Sequence, residues 1–210
     1  MILYDYAAAP NPRRVRIFLA EKGILVPTRQ VDLAAKEQFS AAYRAINPRC
    51  VVPTLVLDDG TAIGEVLAIC RYFEEIQPDP PLMGTTPEDK AIVTMWERRM
   101  EIEGFFAAVE AFRNLVPGLK GRALPGSHDY EQIPALAERG KARLVDFYGD
   151  LDARLKESPF VAGETFSIAD ITAIVAIDFA AGRIKLPIPD GHKALRRWYD
   201  TVSARLGMTA

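Results

Sequence analysis

Apolar and polar residues alternate at the start of the chain, with Ile2, Tyr4 and Tyr6 on one face of a strand predicted over Ile2–Tyr6. The spacing then changes to that of an amphipathic helix from about Pro12 to Lys22, stopped at Gly23. Thr28–Leu33 reads as a second strand, and Gln38–Ala45 as a short helix closed by Asn47-Pro48. Thr54–Leu57 and Thr61–Ile63 flank Asp58-Asp59-Gly60, and an Asp-Gly pair between two apolar runs predicts a hairpin turn. A helix from Glu65 to about Ile76 completes the order β-α-β-α-β-β-α.

Beyond it the segment Gln77-Pro78-Asp79-Pro80-Pro81 carries three prolines in five residues, which breaks any regular element. The pattern after this break is helical throughout. Thr86-Pro87-Glu88-Asp89 is a helix start, with a capping hydroxyl, proline in the first turn and acids at the positive end of the dipole. That helix carries Ile92, Met95, Trp96 and Met100, and runs on through Phe105 and Phe106. Gly118–Gly126 reads as a loop. Leu136, Leu144, Phe147, Leu151 and Leu155 then form the buried stripe of a long helix. Ser167 and Asp170 are spaced as a capping box, with Phe166 stapled onto Ile171, ahead of a helix apolar nearly all round. A last helix holds Leu195, Trp198, Tyr199 and Val202. The predicted organisation is an α/β domain over residues 1–78, a linker over 79–86 and an all-helical domain over 87–210.

Composition narrows the function. Residues 1–80 carry nine Lys/Arg against ten Asp/Glu, and the rest seventeen against eighteen, so neither half has the basic excess of a nucleic-acid binder. No apolar run approaches the roughly 18–20 residues needed to span a bilayer. The N-terminus lacks a basic leader and has Asp5 within its apolar start, which predicts a cytoplasmic protein without membrane partners. Two cysteines, Cys50 and Cys70, and two histidines offer neither a disulfide framework nor a metal-ligand cluster.

Three stretches carry candidate chemistry. They are Ala9-Pro10-Asn11-Pro12-Arg13-Arg14-Val15-Arg16, Asn47-Pro48-Arg49-Cys50-Val51-Val52-Pro53-Thr54, and Asp58-Asp59-Gly60 through Ile63-Gly64-Glu65-Val66. In spacing and order they resemble the thioredoxin-like domain of the cytosolic glutathione transferases, and Ser167–Ile171 resembles the capping motif of that family's helical domain. The resemblance covers essentially the whole chain, and at the sulfur site it is of a bacterial kind, nu-like or theta-like.

The resemblance implies a cis Val52-Pro53 bond, with the backbone of Val52 pairing with the cysteinyl part of glutathione as a strand added to a sheet edge; read alone, Pro53 is an ordinary loop proline. It implies that Glu65 contacts the γ-glutamyl amine, where the residue itself merely complements a helix dipole. The next position usually offers a hydroxyl; here Val66 leaves only its N–H. Lys36 and Gln38 stand where the family contacts the glycyl end, or are simply solvated. Ala9 occupies the place of the common catalytic serine and can donate nothing. Pro10-Asn11-Pro12 is similar to the Thr-Pro-Asn of nu-type relatives, which makes the Asn11 amide the candidate thiolate donor. Asn11 is also a good helix cap by type, and Tyr4 or Tyr6 could carry the hydroxyl instead. Lowering a thiol from about 8.5 to about 6.5 takes roughly 2.7 kcal/mol. A helix N-terminus supplies ~0.3–1 and a bond to a charged group ~1.5–3, so the two together suffice.

Cys50 beside this site is either a partner for a mixed disulfide with glutathione or an incidental buried thiol; Cys70 reads as core. Ala9, Phe105, Phe106 and Phe112 are candidates for an electrophile pocket, although aromatics at helical spacing also build cores. The function the resemblance implies is an enzyme that activates the glutathione thiolate for attack on a hydrophobic electrophile or a disulfide. Glutathione is then a co-substrate, with no permanently bound cofactor and no metal. A glutathione-dependent isomerase or lyase, and a non-catalytic glutathione-binding or docking module, are the alternatives. The family also implies a homodimer, with Arg71, Arg98 and Arg99 near the interface.

Overall fold

The computed structural model describes residues 1–209. The first half contains β1 (Ile2–Asp5), α1 (Pro10–Glu21), β2 (Thr28–Gln30), α2 (Ala41–Ile46), β3 (Thr54–Val56), β4 (Ala62–Gly64) and α3 (Val66–Ile76). The four strands form one sheet in the order β2-β1-β3-β4, with β1 parallel to β2 and antiparallel to β3, and β4 antiparallel to β3. Leu3 and Leu55 join α1 and α3 in the main core, while Tyr4, Val31, Tyr43 and Val52 pack together as a second cluster. Along β1 the pattern therefore holds on both faces, except that Ile2 is 42 % exposed.

Several boundaries differ from the sequence expectation. α1 starts at Pro10, and Ala9 is its N-cap with extended backbone. The residue before a proline is pushed to that conformation, and Pro10 is preset for the first helical position. Asn11 therefore lies inside the first turn and does not cap the helix, contrary to the reading of it as a cap. β2 ends at Gln30, where Val31 N–H still bonds Asp5 C=O at 2.7 Å before the chain turns away. The helix expected over Gln38–Ala45 is a 3₁₀ turn at Glu37–Phe39 followed by α2, because Ser40 accepts from Tyr43 N–H and starts a new helix.

The second half contains α4 (Pro87–Arg99), a π-helical turn (Met100–Phe105), α5 (Phe106–Leu115), α6 (Pro134–Glu157), α7 (Ile168–Ile184) and α8 (Lys193–Ser203). Thr86 caps α4 through Asp89 N–H, and both halves of the Ser167–Asp170 capping box are present at α7. Every side chain of α7 from Ile168 to Ile177 is buried, so it is the axis of the bundle. α5 and α6 touch closely at Gly140, where a Cβ would lie 2.7 Å from Ala107 C=O. The segment after α3 is held by Lys22, whose Nζ donates to the carbonyls of Gln77 and Pro80 at 2.7 Å each and pairs with Glu74 at 2.8 Å. Glu74 in turn accepts from Leu82 and Met83 N–H. No helix among the described residues is long and apolar enough to cross a membrane.

Candidate active site

The sheet topology gathers the candidate residues at one edge. β1 and β2 end there, β3 begins there and β4 ends there, because β3 alone runs against the other three. The register Tyr4↔Thr54↔Gly64 sets Val52 and Pro53, just before β3, between Tyr6 and the Glu65-Val66 pair. The start of α1, the stretch running from Val31 to Gln38, the turn at Cys50–Pro53 and the start of α3 all emerge at this edge.

The α1 start is unusual in its donors. A helix leaves its first N–H groups without intrahelical partners. Here Ala9 N–H bonds Tyr6 C=O at 2.9 Å, Arg13 N–H bonds Ala9 C=O at 3.3 Å, and Pro10 and Pro12 have no N–H. Asn11 N–H is therefore the remaining backbone donor, beside the amide of its own side chain. The preceding loop is clamped from below. Arg16 pairs with Asp5 at 2.7 Å and donates to Ala7 C=O at 3.0 Å, while Gln30 bonds both Asp5 and Ala7 N–H.

The Val52-Pro53 bond is cis. Val51 C=O before it accepts from Tyr43 Oη at 2.6 Å and Asn47 Nδ2 at 3.1 Å, which fixes the turn. Burial pushes the Tyr43 hydroxyl up, so it stays a donor. Val52 N–H and C=O have no hydrogen-bond partner among the described residues, as at an open strand edge. Cys50 is buried at φ 57, with its Sγ 3.6 Å from Pro48 C=O.

Glu65 is the N-cap of α3 at φ 65, a backbone region sparsely used by non-glycine residues, and its side chain is exposed and paired with Arg49 at 2.7 Å. Val66 is buried, with its N–H at the open end of α3. Lys36 is exposed, also at positive φ. Gln38 is 2 % exposed, and its Oε1 has no donor among the described residues. A buried amide oxygen left unpaired costs about 1–3 kcal/mol.

Other candidates separate. Tyr4 is buried edge-to-face against Tyr43, and Tyr6 packs on the same cluster. Cys70 is core, and burial pushes its thiol far up. Phe105 is 1 % exposed beneath the Arg14 guanidinium and has no surface to line a pocket; the aromatic stripe at that position builds the core. Phe112 meets Phe179 edge-to-face, Phe106 is exposed under Arg98, and Ala9 is partly buried at the α1 start. Two hollows of about 370 Å³ lie elsewhere, one lined by Phe160 and Trp198, the other by Asn114 and Gln132. The loop after α5 does reach the candidate edge: Arg122 lies over Phe39 at 5.0 Å, and a Cβ on Gly126 would sit 3.7 Å from Arg49 C=O.

Sequence reasoning did not single out the residues that hold these loops. Asp5, Arg16, Gln30, Tyr43 and Asn47 act through hydrogen bonds beyond their own element; the signal available was a polar side chain in a strand or helix, or, for Arg16 and Asn47, a place within the motif stretches.

Residues 8–76 match the family model described as glutathione S-transferase, N-terminal domain, and residues 134–201 match glutathione S-transferase, C-terminal domain. Glutathione S-transferase 2 of Saccharomyces cerevisiae is 38 % identical over 98 % of this chain and 86 % of its own length. The crystal structure of Gtt2 from the same yeast superposes with a TM-score of 0.91 at 36 % identity, covering 100 % of this chain and 99 % of that one. Maleylacetoacetate isomerase of Dictyostelium discoideum is 34 % identical over 81 % of this chain and 74 % of its own length.

Proposed function

This chain belongs to the glutathione S-transferase family, and from that premise we propose how it binds and activates the tripeptide. It is a glutathione transferase-type enzyme, with glutathione as co-substrate. The cysteinyl backbone of glutathione pairs with the free N–H and C=O of Val52, beside Pro53. Its γ-glutamyl end lies at the start of α3, with the amine at Glu65 and the carboxylate at Val66 N–H. Its glycyl end lies toward Lys36 and Gln38, where a glycyl amide N–H meets the unpaired Gln38 Oε1.

The sulfur then faces the start of α1. Asn11 offers it a backbone N–H and a side-chain amide, in the positive field of the helix end. These groups favour the thiolate over the thiol, and the thiolate itself is the nucleophile. It attacks an electrophilic carbon, expelling a leaving group or adding to a double bond, or it attacks a disulfide sulfur and expels the other thiolate. Ala9 borders the space open to a hydrophobic electrophile, in a detoxifying role in the cytoplasm. The observation that carries this reading is that the two prolines and the Ala9 bond leave Asn11 as the donor at the helix start.

Dimerisation belongs to the same reading. Ile92, Met95, Ile102 and Phe106 form an exposed apolar stripe along α4, the π-helical turn and α5. Arg98 and Arg99 flank it, over Phe106 and Trp96 respectively. A glutathione-dependent isomerase is the second reading, favoured by the likeness to the maleylacetoacetate isomerase.

The test combines retention on immobilised glutathione with turnover of a chloro-nitrobenzene, a small disulfide and a cis-unsaturated diketo acid. Turnover of either of the first two supports the transferase reading, and isomerisation of the third alone favours the second. Retention without any turnover would mean a binding module.

A further inference from the structure

Arg14 lies one turn beyond Asn11 and is 1 % exposed, yet every nitrogen of its guanidinium has a partner. Nε donates to Thr172 Oγ1 at 3.1 Å and Nη2 to Glu97 Oε1 at 2.7 Å. Nη1 is shared between Glu101 Oε1 at 3.1 Å and Asn11 Oδ1 at 3.2 Å. The Phe105 ring lies 4.9 Å from the guanidinium carbon. Glu97, Glu101 and Phe105 are spaced four apart, and in an α-helix each such step overshoots a full turn by about 40°. The wider π-helical turn at Met100–Phe105, closed by Phe106 N–H to Glu101 C=O, takes this overshoot back and keeps all three facing Arg14.

An arginine has donors and no acceptor, so the atom of Asn11 that meets it must be the amide oxygen. The Nδ2 amine is thereby turned the other way, and it has no acceptor among the described residues. A carboxamide without such a tether turns either end outward, and its oxygen facing a thiolate would repel it. We propose that Arg14 is a positioning residue for thiolate formation: it holds the Asn11 carboxamide by its oxygen, so that the NH₂ group faces the glutathione sulfur. Glu97 and Thr172 hold Arg14 in turn, so the helical half sets the orientation of a donor in the thioredoxin-like half. The proposal rests on Asn11 as the thiolate donor. Arg14 does not act on the sulfur as a cation, because two carboxylates already face its charge.

The test follows thiolate absorbance of bound glutathione against pH in wild type, Asn11→Ala, Arg14→Lys and the double variant. Lysine keeps the charge but has no planar fork to reach Glu97 and Asn11 together. Each single change is expected to raise the bound-thiol pKa by about one to two units, and the double variant no further. kcat at neutral pH should fall about threefold to twenty-fivefold, as the thiolate fraction does for a pKa moving up from about 6.5, while KM for glutathione changes less than about threefold. A folded Arg14→Lys that titrates like wild type, while Asn11→Ala shifts, overturns the role of Arg14 and leaves Asn11 standing. An Asn11→Ala that titrates like wild type overturns the Asn11 reading and the positioning role with it. Should Arg14→Lys fail to fold, the wild-type glutathione complex decides by NMR. The Asn11 Nδ2 protons are expected to shift through the thiol titration, and protons indifferent to it refute the proposal.

Discussion

Replacing Asp170 by alanine should cost far more than the loss of a helix cap. Asp170 is completely buried, and its carboxylate accepts four hydrogen bonds. Oδ1 takes Val161 N–H at 2.9 Å and Trp198 Nε1 at 2.8 Å; Oδ2 takes Ser167 N–H at 3.0 Å and Ser167 Oγ at 3.2 Å. Alanine leaves three buried N–H donors without this acceptor. At about 1–3 kcal/mol each, with some relaxation, the loss comes to roughly 4–6 kcal/mol. That is a large share of a typical stability of about 5–15 kcal/mol, whereas a cap alone is worth about 0.5–2. Urea unfolding followed by circular dichroism and tryptophan fluorescence measures it, and a loss below about 2 kcal/mol would reduce the site to an ordinary cap. The same group gives a pH signature. Burial pushes the Asp170 carboxyl up to about 6, against the pull of its donors. A carboxyl raised above its unfolded value binds its proton more tightly in the native state. Its contribution to stability is therefore full below about pH 4 and is lost as pH rises through about 6. Asp170→Asn, which does not titrate, should lack this slope, and an identical pH profile in both proteins contradicts it.

Gln38→Leu removes an unpaired buried acceptor, so the melting temperature should hold or rise while calorimetry shows glutathione binding weakened about threefold to tenfold. Unchanged binding would take Gln38 out of the ligand site. Lys22→Met strips the buried Glu74 of its cation and should cost about 3–5 kcal/mol in denaturant unfolding, partly recovered when Glu74→Gln is added. Met95→Glu sets a charge in the exposed apolar stripe, and light scattering should fall from twice the chain mass toward 23.2 kDa. Wild type already at the single-chain mass would refute the dimer.

The elements of this protein follow from signals that act within a few residues. Thr86-Pro87, the Ser167–Asp170 pair and Asp59-Gly60 bond or turn their own neighbours, so the sequence alone locates α4, α7 and the hairpin between β3 and β4. The candidate roles of Asn11, Val52-Pro53 and Glu65-Val66 follow instead from the family resemblance, since read locally these residues are a cap, a loop proline and a helix start. Local signals fail where two are equally good. Pro10 and Pro12 both suit a helix start, and Asn11 reads as a cap until the bond from Ala9 N–H to Tyr6 C=O sets the first turn at Pro10. They fail altogether where a role depends on distant partners. Arg14 meets Glu97 and Thr172, which lie 83 and 158 residues away, and Lys22 meets residues 55 and 58 positions on. Along the chain these are ordinary charges on a helix. Only the packing of α1 against α4 and α7 buries Arg14, and only α3 with the segment after it buries Lys22, because a charge removed from water must find its partners wherever the fold provides them.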